Sequence, residues 1–255
     1  MSKPLSVCIV TYNNEDKAAN AVSSVKKHTA LPYTLFISDN GSTDGTVKAV
    51  CNVDSNAVII ENGGNLGFGK AHNKVLGRLD SKYHAVVNPD ITIDYDVFSE
   101  ICEYMDKHPE VVMATPKILS VDGSEQHLPK RLPKLRYLAA RRLKLSKKLA
   151  DEYTRADEVI DKPIEIDFCT GCFFVIRTEV FEKIGGFDER FFMYFEDTDI
   201  TVRSKQYGRV MFLPDSHVTH IWEQSSAKSI KYLAIHISSM FKFFWKYKGR
   251  YGKTQ

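Results

Sequence analysis

Hydrophobic and polar positions alternate in blocks along the first 115 residues of the chain. Short runs rich in β-branched and aromatic residues predict buried strands at residues 5–12, 33–38, 57–61, 83–87 and 111–114. The stretches between these runs predict helices at residues 16–27, 46–51, 69–79 and 94–108. Strands and helices that alternate in this way are typical of a parallel sheet with helices on both faces.

The rest of the chain continues the α/β pattern with longer interruptions. It predicts strands at residues 167–177 and 210–213 and helices at residues 178–184, 197–207 and 229–247. Residues 117–164 are basic, with one helical stretch near residues 137–154, and we interpret them as an insertion. The pattern therefore predicts a mixed, mostly parallel α/β sheet flanked by helices, with a basic insertion and a C-terminal amphipathic helix.

No stretch of the sequence is long and apolar enough for a membrane-spanning helix. The longest runs without Asp, Glu, Lys or Arg, such as residues 28–38, cover eleven positions, whereas a span needs about 18 or more. The first residues lack the apolar length and the small-residue cleavage site of a signal peptide. We therefore expect a cytoplasmic protein.

Charge is strongly segregated, although the formal net charge is only +3. Residues 130–148 contain nine lysines and arginines and no acid, and residues 228–253 contain seven more, again without an acid. The remaining residues are therefore acidic as a group. Basic segments of this kind attract phosphates on nucleic acid, on anionic lipid or on a phosphorylated substrate.

Polar residues cluster where each of the first four predicted strands ends. The clusters comprise Thr11, Tyr12 and Asn13; Asp39 and Asn40; the glycine-rich residues 62–69; and Asn88 with Asp90. Ligands of open α/β sheets bind outside the carboxyl ends of the strands, so these clusters predict a binding crevice. Turns are rich in Asn, Asp and Gly for conformational reasons alone, and this alternative stays open for any single cluster.

Two common nucleotide-binding classes are excluded by sequence. A dinucleotide-binding fold needs Gly-x-Gly-x-x-Gly directly after the first strand, but residues 12–16 contain no glycine. The phosphate loop Gly-x-x-x-x-Gly-Lys-Ser/Thr does not occur in the sequence, which excludes a P-loop kinase.

A second group of acids follows an aromatic run at residues 191–195. Glu196 and Asp197 come directly after this run, where partial burial would raise the pKa of a carboxyl and suit it to general-base work. Asp199 has the spacing to pair with Arg203 on one helix. A capped, salt-bridged helix without catalytic function is the alternative.

His217 and His220 lie three positions apart beside a predicted strand. His220 would bind a metal only with a carboxylate partner, and Asp90 is the natural candidate. Mg²⁺ or Mn²⁺ needs few protein ligands where substrate phosphates complete the coordination shell. A purely structural histidine is the alternative.

Short motifs recur in order along nearly the whole chain and carry a family resemblance. They occupy residues 10–13, 39–46, 65–73, 88–90, 170–172, 185–188 and 196–199, followed by Arg203 and His220. The ordered set resembles the inverting glycosyltransferases of family 2, which have the GT-A nucleotide-diphospho-sugar fold, a Rossmann-like sheet. Asn88-Pro89-Asp90, where other members carry Asp-x-Asp, is similar to the rhamnosyltransferase-like branch.

The resemblance implies a role for each matching residue. Asp197 would be the catalytic base, with Glu196 orienting the base or the acceptor. Asp90 and His220 would hold Mg²⁺ or Mn²⁺, with modest affinity because Asn88 replaces an acid. The nucleotide-sugar site would comprise Thr11, Tyr12, Asn13, Asp39, Asn40, Asn65, Gly67, Phe68, Asn73, Asn88 and Asp90, and the acceptor and sugar site would comprise Gly171, Cys172 and Trp222.

The resemblance also implies one glycosyltransferase domain over residues 1–255. Within it we expect a nucleotide-sugar half at 1–116, the basic insertion at 117–165, an acceptor and catalytic half at 166–227, and a basic-aromatic helix at 228–255. The implied reaction moves one sugar from a nucleotide-diphospho-sugar, first dTDP-rhamnose and next a UDP-hexose, to a glycan or lipid-linked acceptor in cell-surface polysaccharide synthesis. A catalytically silent nucleotide-sugar-binding or scaffold protein on this fold is the alternative.

The C-terminal helix has two interpretations. Its lysines and aromatic residues suit an anionic membrane surface, which would place the protein peripherally at the inner face of the membrane. Packing on the core or a contact in a homodimer is the alternative. We expect no nucleic-acid partner.

Overall fold

The computed structural model describes residues 3–142, 146–221 and 230–248. The strands in these ranges form one sheet of nine strands. The strands are β1 (Lys3–Thr11), β2 (Tyr33–Asp39), β3 (Val58–Glu61), β4 (Ser81–Val87), β5 (Ile91–Thr92), β6 (Val111–Leu119), β7 (Ile164–Glu165), β8 (Phe173–Arg177) and β9 (Arg209–His220). Their order across the sheet is β3-β2-β1-β4-β8-β6-β9-β5, and β7 pairs with β9.

The first four strands form a parallel block, as the sequence predicts. β1 pairs in parallel with β2 and β4, and β2 pairs in parallel with β3. Parallel strands need both faces covered, and the central residues of β1 are buried throughout. The carboxyl ends of β1, β2, β3 and β4 therefore lie side by side at one edge of the sheet.

Antiparallel pairings make the sheet mixed. β8 lies between β4 and β6 and runs antiparallel to both, whereas β6 and β9 are parallel. The short β5 pairs antiparallel with the last residues of β9. β9 is much longer than the predicted strand at 210–213, because a register shift opposite Pro116 and Lys117 lets it continue through the polar residues up to His220.

Helices cover both faces of the sheet and confirm the predicted fold class. They are α1 (Glu15–His28), α2 (Thr46–Val53), α3 (Phe68–His72), α4 (Val97–Lys107), α5 (Leu135–Arg142), α6 (Lys147–Thr154), α7 (Thr178–Lys183), α8 (Glu196–Ser204) and α9 (Ile230–Lys246).

Two helices differ most from their predicted bounds. α3 ends at His72 and continues only as a 3-10 turn to Val75, followed by Gly77 with φ of 74°. The helix predicted near 137–154 appears as α5 and α6, and the hydroxyl of Ser146 caps the start of α6 by accepting from the Leu149 N–H.

The alternation of side chains along the strands divides the core into two main layers. Leu5, Val7 and Ile9 of β1 belong to one layer, which also holds the buried stripe of α1, whereas Cys8 belongs to the other. A third, smaller cluster joins Phe191 and Phe195 to Phe243 and Tyr247 at the end of the chain. α9 is thereby packed against the aromatic run that leads into α8.

None of the helices in the described ranges combines the length and the apolar character needed to cross a bilayer.

Candidate active site

The ends of β1 and β2 are joined through the carboxylate of Asp39. Its two oxygens accept four hydrogen bonds, from the Thr11 hydroxyl, the Gly41 and Ser42 N–H groups and the Ser42 hydroxyl, over 2.6–3.1 Å. A carboxylate has about four lone-pair sites. Asp39 therefore organises the turn after β2, and a contact with a nucleobase would replace one of these bonds.

Asn40 ties this turn to the glycine-rich loop after β3. Its amide nitrogen donates to the Gly67 carbonyl at 3.1 Å, and its amide oxygen accepts from the Asn62 amide and the Leu66 N–H. Gly67 has φ of 84°, and a Cβ there would lie 2.2 Å from the Phe192 carbonyl oxygen. Only glycine permits this close approach of the loop after β3 to the backbone of Phe192.

The structure brings most of the predicted nucleotide-site residues to this edge. Tyr12 is 47% exposed beside the turn, and Asn13 accepts from the Thr43 N–H at 2.8 Å. Asn65 accepts from the Gly67 N–H at 2.9 Å and shapes the loop.

Asn73 has a different environment from the other predicted nucleotide-site residues. Its amide accepts from the Phe187 N–H at 2.8 Å and donates to the Phe187 carbonyl at 2.9 Å. Both ends of the amide are thus used to hold the loop before α8, and a nucleotide contact by Asn73 stays a prediction. Trp222 lies outside the described residues.

Asp90 and His220 lie side by side because β5 pairs with the end of β9. Ile91 is opposite His220 in this ladder, and the Ile221 N–H donates to the Asp90 carbonyl at 2.9 Å. The His220 Nε2 atom is 3.3 Å from Asp90 Oδ1, and the two side chains are only 8% and 20% exposed.

Gln126 fixes the proton on the His220 ring. Its Nε2 donates to the His220 carbonyl at 3.0 Å, so its Oε1 faces the ring Nδ1 at 3.0 Å. An amide oxygen only accepts, so Nδ1 carries the hydrogen. The Nε2 lone pair of a neutral ring is then directed toward Asp90.

The oxygens around this pair suit a hard divalent cation. Asp90 Oδ1 and Asn88 Oδ1 are buried, and no described group donates a hydrogen bond to either. No three His, Cys, Asp or Glu side chains converge within the described residues. Carboxylate, amide and imidazole groups therefore fit a cation whose remaining ligands come from a diphosphate.

Glu196 and Asp197 begin α8 immediately after a strained turn. Tyr194 and Phe195 both have left-handed backbone, with φ of 69° and 67°. Each such residue costs about 1–3 kcal/mol, and strain of this kind concentrates at functional sites. The turn directs the start of α8, with its two acids, toward the loop at residues 169–172.

Both acids resist ionisation. Burial, followed by the charge of Asp197, raises the pKa of Glu196 well above its usual range, and Glu196 Oε2 has no hydrogen-bond partner among the described residues. Burial also raises the pKa of Asp197, while hydrogen bonds from the Thr198 N–H at 2.7 Å and the Gly171 N–H at 3.4 Å oppose this effect. Asp197 is the half-buried member of the pair, accessible to an acceptor hydroxyl.

The turn at Gly171 and Cys172 lies between the two acidic sites. The Gly171 N–H donates to Asp197, and the Cys172 carbonyl accepts from the Asn88 N–H at 2.8 Å. Burial, with smaller effects of Asp90 and Asp197, raises the pKa of the Cys172 thiol to about 12, so it is a thiol and not a thiolate at neutral pH. A Cβ on Gly171 would lie 3.3 Å from Asp197 Cβ and 3.4 Å from the Phe68 ring.

Lys130 brings a positive charge to the same turn, which sequence reasoning missed. Its charge favours ionisation of both Asp197 and Cys172, and its Nζ lies 5.4 Å from the centre of the Phe168 ring. The only sequence signal was its place at the start of the basic segment. Gln126 was missed in the same way, because no periodic pattern relates it to His220.

Asp199 is a packing acid. It is fully buried and accepts from Arg203 at 2.7 Å, which confirms the predicted pair, and from Lys246 and the Tyr247 hydroxyl. The third acid of the motif therefore fastens α9 to α8 and does not face the crevice.

Solved structures share this fold. One is described as GalNAc-T7 with UDP, GalNAc and Mn²⁺ (TM-score 0.69, 16% identity) and covers 96% of this chain. Another is S. aureus TarS 1-349 in complex with UDP (TM-score 0.63, 17% identity) and covers 86% of this chain. This chain spans 48% and 61% of those two chains, respectively. At these identities the likeness concerns the fold alone.

Two curated proteins are similar over nearly the whole chain. The N-acetylglucosaminyl-diphospho-decaprenol L-rhamnosyltransferase of Mycobacterium tuberculosis (strain CDC 1551 / Oshkosh) is 26% identical over 95% of this chain and 84% of its own. Rhamnosyltransferase WbbL of Escherichia coli (strain K12) is 24% identical over 93% of this chain and 91% of its own.

Family models match both halves of the chain. The model of the N-terminal domain of galactosyltransferase matches residues 153–224. The model of glycosyl transferase family 2 matches residues 6–185, which include the crevice from Thr11 to the turn at Gly171. The chain belongs to glycosyl transferase family 2.

Proposed function

We propose that this protein transfers one rhamnosyl unit from a nucleoside-diphosphate donor to a glycan or lipid-linked acceptor in cell-surface glycan synthesis, with inversion at the anomeric carbon. The observation that carries the proposal is the turn at Gly171 and Cys172. On one side it contacts Asp197, the proposed base at the start of α8, and on the other it contacts Asn88, which follows β4 and comes shortly before Asp90. A leaving diphosphate and an attacking hydroxyl need these two groups on opposite sides of one sugar.

The similar proteins support a choice of donor sugar. Two rhamnosyltransferases match over more than nine tenths of this chain, which makes dTDP-rhamnose the first donor to test. The two structural neighbours were solved with UDP, which keeps UDP-hexoses as the second candidates. The turns that hold Thr11, Asp39 and Asn40 would contact the nucleobase and ribose.

Asp197 acts as the base in this proposal. Its carboxylate accepts the proton of the acceptor hydroxyl while the hydroxyl oxygen bonds to the anomeric carbon. The bond from that carbon to the diphosphate oxygen breaks, and its electron pair leaves with the diphosphate. Attack from the opposite face inverts the configuration, and no covalent sugar–enzyme species forms.

A divalent cation would be held by Asp90 and His220, and Asn88 Oδ1, which is buried and receives no hydrogen bond from a described group, is a further candidate ligand. When bound, such a cation neutralises charge that develops on the leaving diphosphate. Lys130 would add a positive charge near Asp197 and Cys172. Glu196, whose pKa is raised by burial and by the charge of Asp197, would position the acceptor or Asp197.

The acceptor is proposed by analogy with a curated relative whose name specifies a diphospho-decaprenol carrier. A lipid-linked sugar diphosphate would bring its sugar hydroxyl to Asp197 while its lipid stays in a bilayer. The protein would then work at a membrane surface.

The test is transfer from dTDP-rhamnose to an N-acetylglucosamine diphosphate with a short, water-soluble alkyl chain, in Mn²⁺ and followed by mass spectrometry. Asp197→Asn should lower turnover by about 10²–10⁴-fold while donor binding by calorimetry stays intact. Asp167→Asn, a change of the same kind at an exposed acid, is the control. If Asp197→Asn turned over at the wild-type rate, Asp197 would not be the base. Donor binding without transfer in the wild type would favour the silent scaffold.

A further inference from the structure

One face of α9 is fixed to the protein. Phe243 is fully buried and Tyr247 nearly so, and the Ser239 hydroxyl donates to the Met193 carbonyl at 2.8 Å. Lys246 adds an ion pair with Asp188 at 2.7 Å. The helix is therefore held against the aromatic run that leads into Glu196 and Asp197.

The opposite face of α9 carries large apolar side chains in solvent. Ile230, Ile237, Phe241 and Trp245 are 87%, 41%, 66% and 78% exposed, respectively. Steps of seven, four and four residues place them on one stripe of a helix, which we call the α9 stripe. Single exposed apolar residues are ordinary, but an aligned stripe with two aromatic members marks an interaction surface.

The charge around the α9 stripe is entirely positive on its own helix. Residues 230–248 contain four lysines and no acid. Lys246 is neutralised by Asp188 and Asp199, whereas Lys231 and Lys248 are exposed. Lys242 donates to the Arg190 carbonyl, a neutral group, so this hydrogen bond does not neutralise the charge of the lysine.

The basic insertion adjoins the same region. Leu138 of α5 packs against the cluster formed by Phe191, Phe195, Phe243 and Tyr247. The preceding turn of α5 exposes Lys134, Leu135 and Arg136. The two basic segments, which lie far apart in sequence, thus meet at one aromatic cluster.

We propose that the α9 stripe docks on the surface of an anionic bilayer, with Phe241 and Trp245 in the interfacial region and the flanking lysines at the headgroups. Trp and Phe on one helix face with lysines beside them are typical of interfacial helices. A second copy of this chain is a poorer partner, because its own α9 would bring lysines against lysines. The inference rests on the proposed function, since docking here places α8 and its base where a lipid-linked acceptor lies.

The test is flotation of the full chain with vesicles of phosphatidylcholine and phosphatidylglycerol in equal parts, compared with phosphatidylcholine alone. We expect binding to the anionic vesicles that salt weakens. Phe241→Glu with Trp245→Glu should lower the partition coefficient at least about tenfold. Lys231→Gln with Lys248→Gln should lower it about fivefold per lysine, on anionic vesicles only.

The matched control is Val121→Glu with Val159→Glu. It adds the same charge at two exposed apolar residues outside α9, which are 73% and 95% exposed. It should float like the wild type. Wild-type flotation by the Phe241 and Trp245 variant, or no flotation of the wild type, overturns the proposal. A wild-type dimer that this variant dissociates in sedimentation would assign the stripe to a subunit contact and also overturn it.

The water-soluble acceptor separates this inference from the proposed function. The Phe241 and Trp245 variant should turn over that acceptor like the wild type, because neither residue is in the crevice. Absence of transfer in the wild type would contradict the proposed function, whatever the flotation shows.

Discussion

The side-chain amide of Gln126 contacts His220 at two points, one on the backbone and one on the ring. The backbone contact fixes which end of the amide faces the ring, and the ring contact then fixes the tautomer. A histidine that binds metal through one nitrogen commonly donates from the other to such a partner. Gln126 would therefore position His220 for the cation without touching it.

Replacement of Gln126 by Leu should weaken Mn²⁺ binding by about 10–100-fold, the usual cost of losing an outer-shell partner. The measurement is Mn²⁺ affinity by electron paramagnetic resonance in the presence of a nucleoside diphosphate, which does not depend on turnover. Gln206→Leu, at an exposed glutamine, is the control. Unchanged affinity in Gln126→Leu would contradict this role.

The charge of Lys130 makes it easier for Asp197 to lose its proton. Burial raises the pKa of Asp197, and Lys130 opposes that rise. A general base works only when it is deprotonated, so its rate falls as pH decreases through its pKa. The acidic limb of the pH profile should therefore lie above the usual carboxyl range.

Lys130→Met should move this acidic limb to still higher pH, by up to about one unit, because the ionised form of Asp197 loses a favourable charge. The measurement is kcat/KM against pH with the water-soluble acceptor. Lys134→Met, at an exposed lysine nearby, should leave the limb in place. A limb that stays fixed or moves to lower pH in Lys130→Met would exclude the coupling.

The sequence indicated Asp90, Glu196 and Asp197 as candidates because each follows a predictable apolar segment. It indicated His220 because this residue could share a metal with Asp90. It did not identify Gln126 and Lys130, which reach the crevice from the insertion after β6. Asp39 shows a different limit of prediction from sequence. Its position was predicted, but its four hydrogen bonds to the turn follow from local geometry that no spacing reveals.

At the scale of elements, the parallel half of the sheet was predictable and the antiparallel half was not. β1 to β4 are continuous apolar runs separated by turn residues, so periodicity and length define them. β5 has two residues, and the end of β9 is polar, so neither has a hydrophobic signal. The pairing of these two strands nevertheless creates the Asp90–His220 contact.

The position of β8 is a second element that sequence order does not give. It follows the insertion yet enters the sheet between β4 and β6, antiparallel to both. This placement carries the turn at Gly171 and Cys172 to the carboxyl edge of β4. The crevice thus depends on a long-range pairing, which local propensity does not specify.

The junction of α8 and α9 depends on Asp199, which is fully buried among Arg203, Lys246 and the Tyr247 hydroxyl. Asp199→Ala removes a fully buried carboxylate, which leaves the half-buried Arg203 without this partner and Lys246 with Asp188 alone, and it should lower the free energy of unfolding by about 3–5 kcal/mol. Asp167→Ala removes an exposed partner of Lys205 and should cost under about 1 kcal/mol. Urea unfolding measures both, and equal costs would contradict the assignment.

At the scale of the whole molecule, opposite charges have separate locations. The acids at the carboxyl edge of the sheet, Asp39, Asp90 and the pair at Glu196 and Asp197, surround the crevice. The lysines and arginines of α5 and α9 adjoin it through the cluster of Phe191, Phe195, Phe243 and Tyr247. The small net charge therefore conceals an acidic crevice next to a basic surface.

This arrangement predicts that donor and cation stabilise the fold together. A ligand at 100 times its dissociation constant adds about 2.7 kcal/mol, which corresponds to about 5–10 °C in Tm for a chain of this size. A thermal-shift series with dTDP, UDP and their sugars should show this gain for the nucleotides of one nucleobase. The gain in Tm should diminish when a chelator removes Mn²⁺.

Asp90→Ala should abolish only the cation-dependent part of that gain, because Asp39 and Asn40 hold the nucleoside side of the crevice without it. Asp94→Ala, at an acid that is 74% exposed four residues away, should behave like the wild type. A gain that survives in full in Asp90→Ala would remove this carboxylate from the metal site. If Asp90→Ala also lost the stabilisation that the wild type shows in chelator, Asp90 would hold the donor directly. The Asp90–His220 contact would then be a structural pair.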